Sequence, residues 1–183
     1  MKTIETELAG VLIFEPKVFS DERGFFLEIW QKKNYEAVGI GLDFVQDNVS
    51  FSLKDVLRGL HYQYPHSQGK LVRVFIGEVI DIAVDIRLGS TTFGKWVAVK
   101  LSETNNRQLY IPPGFAHGFC VISDKALFSY KCTDYYDPAS EGGIIWNDPE
   151  LNISWPIEMP ALSAKDSGYP RLADIPATKL PRF

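Results

Sequence analysis

Residues 57–77 of the chain, LRGLHYQYPHSQGKLVRVFIG, carry the pattern that decides the fold. Two strand-like apolar runs flank a short polar loop, and Arg58, His61 and Lys70 lie within thirteen positions of one another. A second stretch at residues 112–117, PPGFAH, repeats the order of an apolar run, a turn and a histidine. The chain therefore carries the same kind of signal twice, with strand-like segments between the two copies.

These two stretches resemble the two sequence motifs of the cupin superfamily. The second stretch matches the cupin pattern P-x-G-x-x-H and ends at His117. Cupins that hold a metal carry His-x-His and then a Glu before a Gly in the first motif. Here residues 61–63 read His-Tyr-Gln, and Lys70 occupies the Glu position before Gly77. A protonated ammonium group cannot ligate a divalent cation. We therefore expect a cupin frame with a fixed cation where the metal would be, and no cofactor.

Short strand-like segments separated by turns, with almost no helical periodicity, predict an all-β protein. Residues 10–19 contain Pro16 and predict an edge strand, or two short strands joined at a bend. Residues 31–38 are the best helical candidate. With the cupin motifs, these signals predict a jelly-roll β-barrel with short peripheral helices. We expect one domain over residues 1–183, with an N-terminal strand arm and a loop-rich segment at about 141–183 packed on the barrel.

The segment around Gly77 predicts the interior of that barrel. Residues 71–76 and 79–87 are interpreted as a hairpin that turns at Gly77 and Glu78. The second run alternates strictly, with four aliphatic residues on one face and Asp81, Ala83, Asp85 and Arg87 on the other. A polar row of this kind fits the interior of a ligand-holding barrel, and a solvated outer face would give the same pattern.

Two further polar signals lie earlier in the chain. Residues 25–30 alternate and place Glu28 on one face with the aromatic residues Phe26 and Trp30. Residues 46–48 read Gln-Asp-Asn inside a strand-like context. Three such side chains need partners or a ligand unless they form a loop tip.

Composition narrows the class of protein. A chain of 183 residues can bury a substantial core in one domain. The net charge of −4 argues against a general nucleic-acid binder, and no apolar run approaches the roughly 20 residues of a membrane span. Cys120 and Cys132 lie in apolar segments, where thiols are commonly free and buried, although a disulfide between them stays open. With no secretory segment at the N-terminus, these features favour the cytoplasm.

A series of ordered motifs, from about residue 4 to residue 170, carries a narrower resemblance. Together they resemble the dTDP-4-dehydrorhamnose 3,5-epimerase family, and none departs at a position that the family uses for chemistry. The resemblance implies an isomerase that converts dTDP-4-dehydro-6-deoxy-D-glucose to dTDP-4-dehydro-L-rhamnose in dTDP-L-rhamnose biosynthesis, as a cytoplasmic homodimer. The motifs are FSDERGFF at 19–26, QDN at 46–48, LRGLHYQ at 57–63, QGKLVR at 68–73, PGFAHGF at 113–119 and LSAKD at 162–166.

The implied reaction needs a base, a cation and an acid. The C4 ketone acidifies the hydrogens on C3 and C5, and removal of either leaves an enolate that is reprotonated on the opposite face. By resemblance, His61 is the base, Asp166 orients it, and Tyr130 is the acid on the far face. Lys70 lies near the ketone oxygen, which agrees with the altered cupin motif, since it supplies the charge of a metal without one. Lys70 is also expected to favour the ionised phenol of Tyr130 between turnovers.

Substrate binding is implied by the same resemblance. Arg23 and Arg58 offer planar guanidinium groups suited to a diphosphate, and Lys165 offers a point charge. The N-terminal strands are expected to complete the site of the neighbouring subunit. The implied substrate contacts are Arg23, Glu28, Gln46, Asp47, Asn48, Arg58, Lys70, His117, Glu141 and Lys165, with Tyr136 near the sugar or the base.

Three alternatives stay open at this point. A metal-dependent cupin oxygenase or isomerase would use His61 and His117 as ligands, but it lacks the remaining His and Glu. A non-catalytic cupin that senses a sugar nucleotide would need the pocket without an acid and a base on opposite sides. An epimerase that inverts only C3 or only C5 would differ in the placement of groups around Tyr130 and Tyr136, which no motif reports. The order of the inversions, the strictness for thymidine and the final acceptor of the sugar also lie beyond the sequence.

Overall fold

The computed structural model describes all residues, 1–183, and is built almost entirely from β-strands. One short α-helix and three 3-10 helices complete it, and none of these helices has the length and apolarity that a membrane crossing requires. The elements are β1 (Lys2–Glu5), β2 (Leu12–Glu15), β3 (Val18–Asp21), β4 (Gly24–Leu27), α1 (Lys32–Glu36), β5 (Gln46–Leu53), β6 (Leu57–Gln63), β7 (Lys70–Ile76), β8 (Glu78–Asp85), β9 (Trp96–Ser102), β10 (Gln108–Ile111), β11 (Phe115–Val121), β12 (Lys125–Cys132), β13 (Glu141–Gly143) and the 3-10 helices Asp166–Gly168, Leu172–Asp174 and Ala177–Lys179.

Two antiparallel sheets form the body of the protein. The larger sheet has the order β1-β2-β10-β7-β12-β5, and the smaller one has the order β13-β6-β11-β8-β9. Alternate residues of both sheets meet in one buried cluster, in which Val72 and Val74 of β7 join Val79 and Ala83 of β8. This sandwich confirms the predicted all-β, jelly-roll class.

The hairpin predicted at Gly77 is wrong. Strand β7 pairs with β10 and β12, whereas β8 pairs with β9 and β11, so the chain crosses from one sheet to the other at Gly77. Gly77 has a φ of 82°, and a Cβ there would lie 1.9 Å from the carbonyl oxygen of Lys125. Glycine is therefore required at this crossing. Strands that pair and strands that face each other both bury alternate residues, which is why the sequence pattern did not separate the two cases.

Strand β8 is buried on both faces. Asp81 and Asp85 have no exposed surface, so the solvated alternative for the polar row is wrong. Asp81 faces the space between the sheets, where it contacts His117. On the other face, Ile82 packs in a cluster that includes Leu172 and other residues of the C-terminal segment.

The N-terminal region differs from its sequence pattern in detail. Residues 10–19 form the two short strands β2 and β3, and β2 lies between β1 and β10, so the edge-strand alternative is wrong. The alternating pattern over residues 25–30 does not form one strand, because β4 ends at Leu27. Trp30 instead packs on Tyr35 of α1, with ring centroids 4.4 Å apart. The helix confirms the helical prediction over a shorter range. The β3–β4 hairpin pairs with neither main sheet.

Candidate active site

A cavity of about 270 Å³ lies between the two sheets. The larger sheet supplies one wall and the smaller sheet supplies the other, so a ligand held there is approached from opposite sides. Seven of its lining residues were predicted as site residues. The cavity is lined by Gln46, Asn48, Lys70, Tyr130 and Cys132 of the larger sheet, by His61, Tyr62, Gln63 and Glu141 of the smaller sheet, and by the loop residues Gln68 and Tyr136.

His61 and Asp166 form a hydrogen-bonded pair at one wall. Nε2 of His61 lies 2.5 Å from Oδ1 of Asp166, and the side chains are 32% and 6% exposed. The backbone N–H of Asp166 donates to Oγ of Ser163 at 3.0 Å, which fixes the start of its 3-10 helix. Burial alone would raise the pKa of Asp166, but the hydrogen bond and charge of His61 hold it below its usual value. A carboxylate on Nε2 leaves Nδ1 as the nitrogen that can accept a proton.

Lys70 stands on β7, in the opposite sheet. Its Nζ lies 5.9 Å from the centroid of the Tyr130 ring. Burial lowers the pKa of Lys70, and the nearby groups of Cys132, Asp81 and Glu141 act in the opposite direction. An anion that develops in the cavity would therefore stabilise the charged form of the amine.

Tyr130 lines the same wall from β12. Burial raises the pKa of its phenol, and the cation that opposes this shift is Arg58. The phenol is thus held in the protonated form, which is the form that can donate a proton. Lys70 is not among the charges that act on this pKa, so the expectation that it favours the ionised phenol between turnovers stays a prediction.

A chain of polar contacts closes the rim. Lys165 pairs with Glu141, whose carboxylate also accepts a hydrogen bond from the Tyr136 hydroxyl at 2.8 Å. The backbone N–H of Tyr136 donates to Oε1 of Gln46 at 2.8 Å. The exposed ring of Tyr136 and the charge of Lys165 therefore lie next to each other at the entrance.

A second His–Asp pair lies behind the cavity wall. Nε2 of His117 is 3.0 Å from both carboxylate oxygens of Asp81, and the side chains are 8% and 0% exposed. His117 stands opposite His61 in the β11–β6 register and stacks on Phe128. Burial lowers the pKa of His117 and raises that of Asp81. His117 was predicted to contact substrate, but the structure does not place it in the cavity wall.

Five other predicted binding residues also lie outside the wall, and one of them, Lys165, stands at the rim beside Glu141. Nε of Arg58 donates to Oγ of Ser52 at 3.0 Å, although the Arg58 charge reaches Tyr130. The remaining three make local contacts elsewhere: Asp47 pairs with Lys131, Arg23 with Asp21, and Glu28 accepts a hydrogen bond from Asn34. Within one chain, Arg23 and Glu28 therefore belong to the N-terminal region and not to the cavity.

Gln63, which stands at the position of a cupin metal ligand, holds loops in place. Its Nε2 donates to the carbonyl oxygens of His66 and Tyr135 at 2.6 and 3.0 Å, and its Oε1 accepts from the N–H of Asp137 at 2.9 Å. All polar atoms of the amide are occupied by backbone groups. No cluster of three His, Cys, Asp or Glu side chains suited to a metal occurs in the structure.

Sequence reasoning gave no role to Tyr62, Gln68 and Cys132, which line the cavity. Cys132 is paired with Lys70 in the β12–β7 register, and Nδ2 of Asn48 lies 3.7 Å from its Sγ. Both cysteines of the chain are free and buried. Cys132 stands two positions after Tyr130 on β12 and therefore shares its face of the strand, which is the signal that could have identified it.

The chain matches the family model described as dTDP-4-dehydrorhamnose 3,5-epimerase over residues 5–174. A protein of that name from Shigella flexneri is 58% identical over 176 residues, which is 95% of this chain and 97% of the relative. A crystal structure of a dTDP-6-deoxy-D-glucose-3,5-epimerase from Legionella pneumophila, in complex with dTDP-4-keto-L-rhamnose, is 56% identical, with a TM-score of 0.98 over 100% of this chain and 98% of that chain. A less similar relative, a dTDP-4-dehydrorhamnose 3-epimerase from Streptomyces niveus, is 40% identical over 91% of this chain and 82% of its own length.

Proposed function

Since this chain belongs to the dTDP-4-dehydrorhamnose 3,5-epimerase family and is an isomerase of dTDP-linked sugars, we propose that His61, Asp166, Lys70 and Tyr130 carry its two inversions. The reaction inverts C3 and C5 of dTDP-4-dehydro-6-deoxy-D-glucose and gives dTDP-4-dehydro-L-rhamnose. One observation carries the assignment of roles. His61, which is hydrogen-bonded to Asp166 behind it, and the phenol of Tyr130, whose pKa burial raises, line opposite walls of one cavity.

Each inversion needs the same sequence of proton transfers. Nδ1 of His61 takes the proton from the carbon next to the ketone, and the carboxylate of Asp166 stabilises the imidazolium that forms. Negative charge then develops on the C4 oxygen, where the ammonium group of Lys70 stabilises it. Tyr130 donates a proton to the opposite face of the carbon. Because C3 and C5 flank the same carbonyl, one cation serves both enolates.

The proposal includes a homodimer, which would account for the position of Arg23. The β3–β4 hairpin exposes Phe25 and Phe26, which are 63% and 69% exposed, and it pairs with neither main sheet. Strand β5, at the edge of the larger sheet, exposes an apolar strip that includes Val49 and Phe51. Exposed apolar surface of this extent is typical of a protein interface. A second copy that covers it would bring Arg23 to a neighbouring cavity, where a guanidinium group suits a diphosphate.

We also propose that the enzyme needs no metal and works in the cytoplasm. Lys70 and Gln63 stand where metal-binding cupins carry ligands, and a protonated amine repels a divalent cation. Two buried thiols that remain free are typical of a reducing compartment.

The reaction is tested by incubating the protein with dTDP-4-dehydro-6-deoxy-D-glucose in heavy water and locating deuterium by NMR. The proposed double epimerase introduces deuterium at both C3 and C5 and inverts both carbons. Deuterium at C3 alone would instead identify a 3-epimerase, and deuterium at neither carbon would identify a binding protein.

The contribution of the neighbouring subunit is tested by mixing two inactive variants. In a dimer of Arg23→Ala and His61→Ala subunits, one cavity contains His61 of the first subunit and Arg23 of the second. Random mixing should therefore restore about a quarter of the wild-type activity, since half of the dimers are mixed and each has one intact site. If Arg23 serves its own subunit, no mixed site is intact and activity stays at the level of the variants.

A further inference from the structure

Tyr169 contacts the catalytic pair although no motif assigned it a role. It directly follows the 3-10 helix that begins with Asp166, and its ring meets the imidazole of His61 edge to face, with centroids 5.7 Å apart and planes at 68°. Its hydroxyl is buried and has no partner at full hydrogen-bond geometry, although the Lys165 side chain is close enough to act on its pKa. Burial raises the pKa of this phenol to about 12, so the group stays neutral in the working range. The contact with His61 is therefore made by the ring and not by the hydroxyl.

A glycine in β13 makes room for this ring. Gly143 stands opposite His61 in the β13–β6 register, and a Cβ at Gly143 would lie 2.4 Å from two carbons of the Tyr169 ring. The chain after the ring is anchored, because the N–H of Ile145 donates to the carbonyl oxygen of Pro170 at 2.8 Å. The ring thus occupies a slot between a strand backbone and the imidazole. Its position is set by the structure and not by its own polar contacts.

We propose that Tyr169 is a positioning residue for the epimerisation, which holds the imidazole of His61 in line with the carboxylate of Asp166. The imidazole is one-third exposed to the cavity, so the cavity side leaves it room to rotate. The ring of Tyr169 limits that rotation and covers the pair from water. A base that is displaced by about 1 Å can lose roughly 10²-fold in rate. This inference rests on the proposed role of His61 as the base.

The first test compares Tyr169→Phe with Tyr169→Ala. Tyr169→Phe should keep kcat within about 2-fold of wild type, because the lost hydroxyl had no partner at full hydrogen-bond geometry. Tyr169→Ala should lower kcat by about 10–10²-fold, with KM and dTDP affinity nearly unchanged, and should slow deuterium exchange at C3 and C5 to the same extent. A residue that only stabilises the fold would lower the melting temperature and leave kcat intact, and this outcome for a folded Tyr169→Ala variant would overturn the proposal.

The second test moves the ring without removing it. Gly143 does not have a left-handed φ, so Gly143→Ala is acceptable to the backbone, but its Cβ displaces the Tyr169 ring. We expect Gly143→Ala to lower kcat as Tyr169→Ala does, and the double variant to lose no more than Tyr169→Ala alone, because the clash needs the ring. Gly168→Ala is the matched control, since its Cβ would meet no atom within 4 Å. A full additional loss from Gly143→Ala in the Tyr169→Ala background would also overturn the proposal.

Failure of the inference can be separated from failure of the proposed function. His61→Ala is assayed in the same exchange experiment. If His61→Ala still exchanges deuterium, the base assignment itself is wrong. If His61→Ala abolishes exchange while Tyr169→Ala matches the wild type, only the role of Tyr169 is wrong.

Discussion

The two His–Asp pairs on neighbouring strands, His61–Asp166 and His117–Asp81, have the same chemistry and different surroundings. His61 stands opposite His117 in the β6–β11 register. The first pair forms one short contact, of 2.5 Å, and its imidazole is one-third exposed in the cavity. In the second pair, one nitrogen lies 3.0 Å from both carboxylate oxygens, and both side chains are buried.

Burial gives the two pairs different electrostatic properties, which suit the different roles that we propose for them. The pKa of Asp166 is held below its usual value, so it remains a carboxylate that can stabilise an imidazolium. For Asp81, burial outweighs the partner and raises the pKa, and His117 is kept neutral. A base must reach its substrate and tolerate a change of charge. In the proposed mechanism, access to the cavity, and not the presence of a His–Asp pair, distinguishes His61 from His117 as the base.

Replacing the exposed histidine should have the largest effect. His61→Ala removes the base, and we expect deuterium exchange at both C3 and C5 to fall by on the order of 10⁴-fold. Binding of dTDP should persist, because the nucleotide is held by other groups. Exchange is measured by NMR in heavy water and binding by calorimetry. Asp166→Asn keeps the imidazole and should therefore lose less than His61→Ala. Continued exchange at either carbon in His61→Ala would assign the base elsewhere.

Replacing the acid that faces this pair should separate exchange from inversion. Tyr130→Phe keeps the ring and its packing but removes the proton donor, so inversion should fall by about 10²–10⁴-fold. Exchange through His61 should continue, because the base can return a proton to the face from which it came. The two rates are measured in one heavy-water experiment. Inversion at the wild-type rate would leave Tyr130 as a packing residue and make Tyr136 or a bound water the donor.

Replacing His117, the histidine of the buried pair, should lower the stability of the protein. His117→Ala leaves the carboxyl group of Asp81 buried without its hydrogen-bond partner, which should lower the free energy of unfolding by about 1–3 kcal/mol. His61→Ala also leaves a buried carboxylate, that of Asp166, without its partner, but the adjoining cavity can admit water, so we expect a smaller loss. Urea denaturation of both variants provides the comparison. Equal stability of the two variants would show that burial does not distinguish the pairs.

Acid should reveal opposite contributions from the two carboxylates. Asp166, which faces His61 and Lys165, has a pKa below its ordinary value of 3.8. Its ionised form therefore adds to the free energy of unfolding above that pH, and this contribution is lost as the pH falls. Asp81, which faces His117 and Lys70, has a raised pKa. Its protonated form therefore adds to the free energy of unfolding below pH 3.8, and this contribution is lost as the pH rises through the raised pKa. Urea denaturation between about pH 3 and 6 should therefore show a shallower acid loss for Asp166→Asn than for wild type, and a steeper one for Asp81→Asn. Identical slopes would contradict both assignments.

Chelation should have the smallest effect. If the ammonium group of Lys70 supplies the charge that a metal supplies in other cupins, exhaustive treatment with a chelator should leave kcat and KM unchanged. Elemental analysis of the active protein should find no stoichiometric transition metal. Activity that is lost on chelation and restored by one particular metal would contradict this reading, and His61 and His117 would then need to be reconsidered as ligands.

Much of this molecule could be predicted from local sequence. Helix α1 and the all-β class follow from periodicity and turn residues. Lys70 and His61 are close to each other in sequence and flank one loop, so their approach to a shared cavity follows from the motif. Cys132 was predicted to be a free, buried thiol, although its place in the cavity wall was not predicted.

Alternation along the chain predicts which residues share a face of a strand, and the ordered motifs indicate the family. Only the folded chain shows that Gly77 lies at a crossing between the sheets and that Tyr169 packs against His61. It also brings Asp166 to His61 from 105 positions away, as the family resemblance implied. The two kinds of feature differ in how far apart along the chain the residues that produce them lie. Periodicity is a property of neighbouring residues, whereas strand pairing, the choice between two carboxylates and the desolvation that sets their pKa values depend on groups brought together by folding.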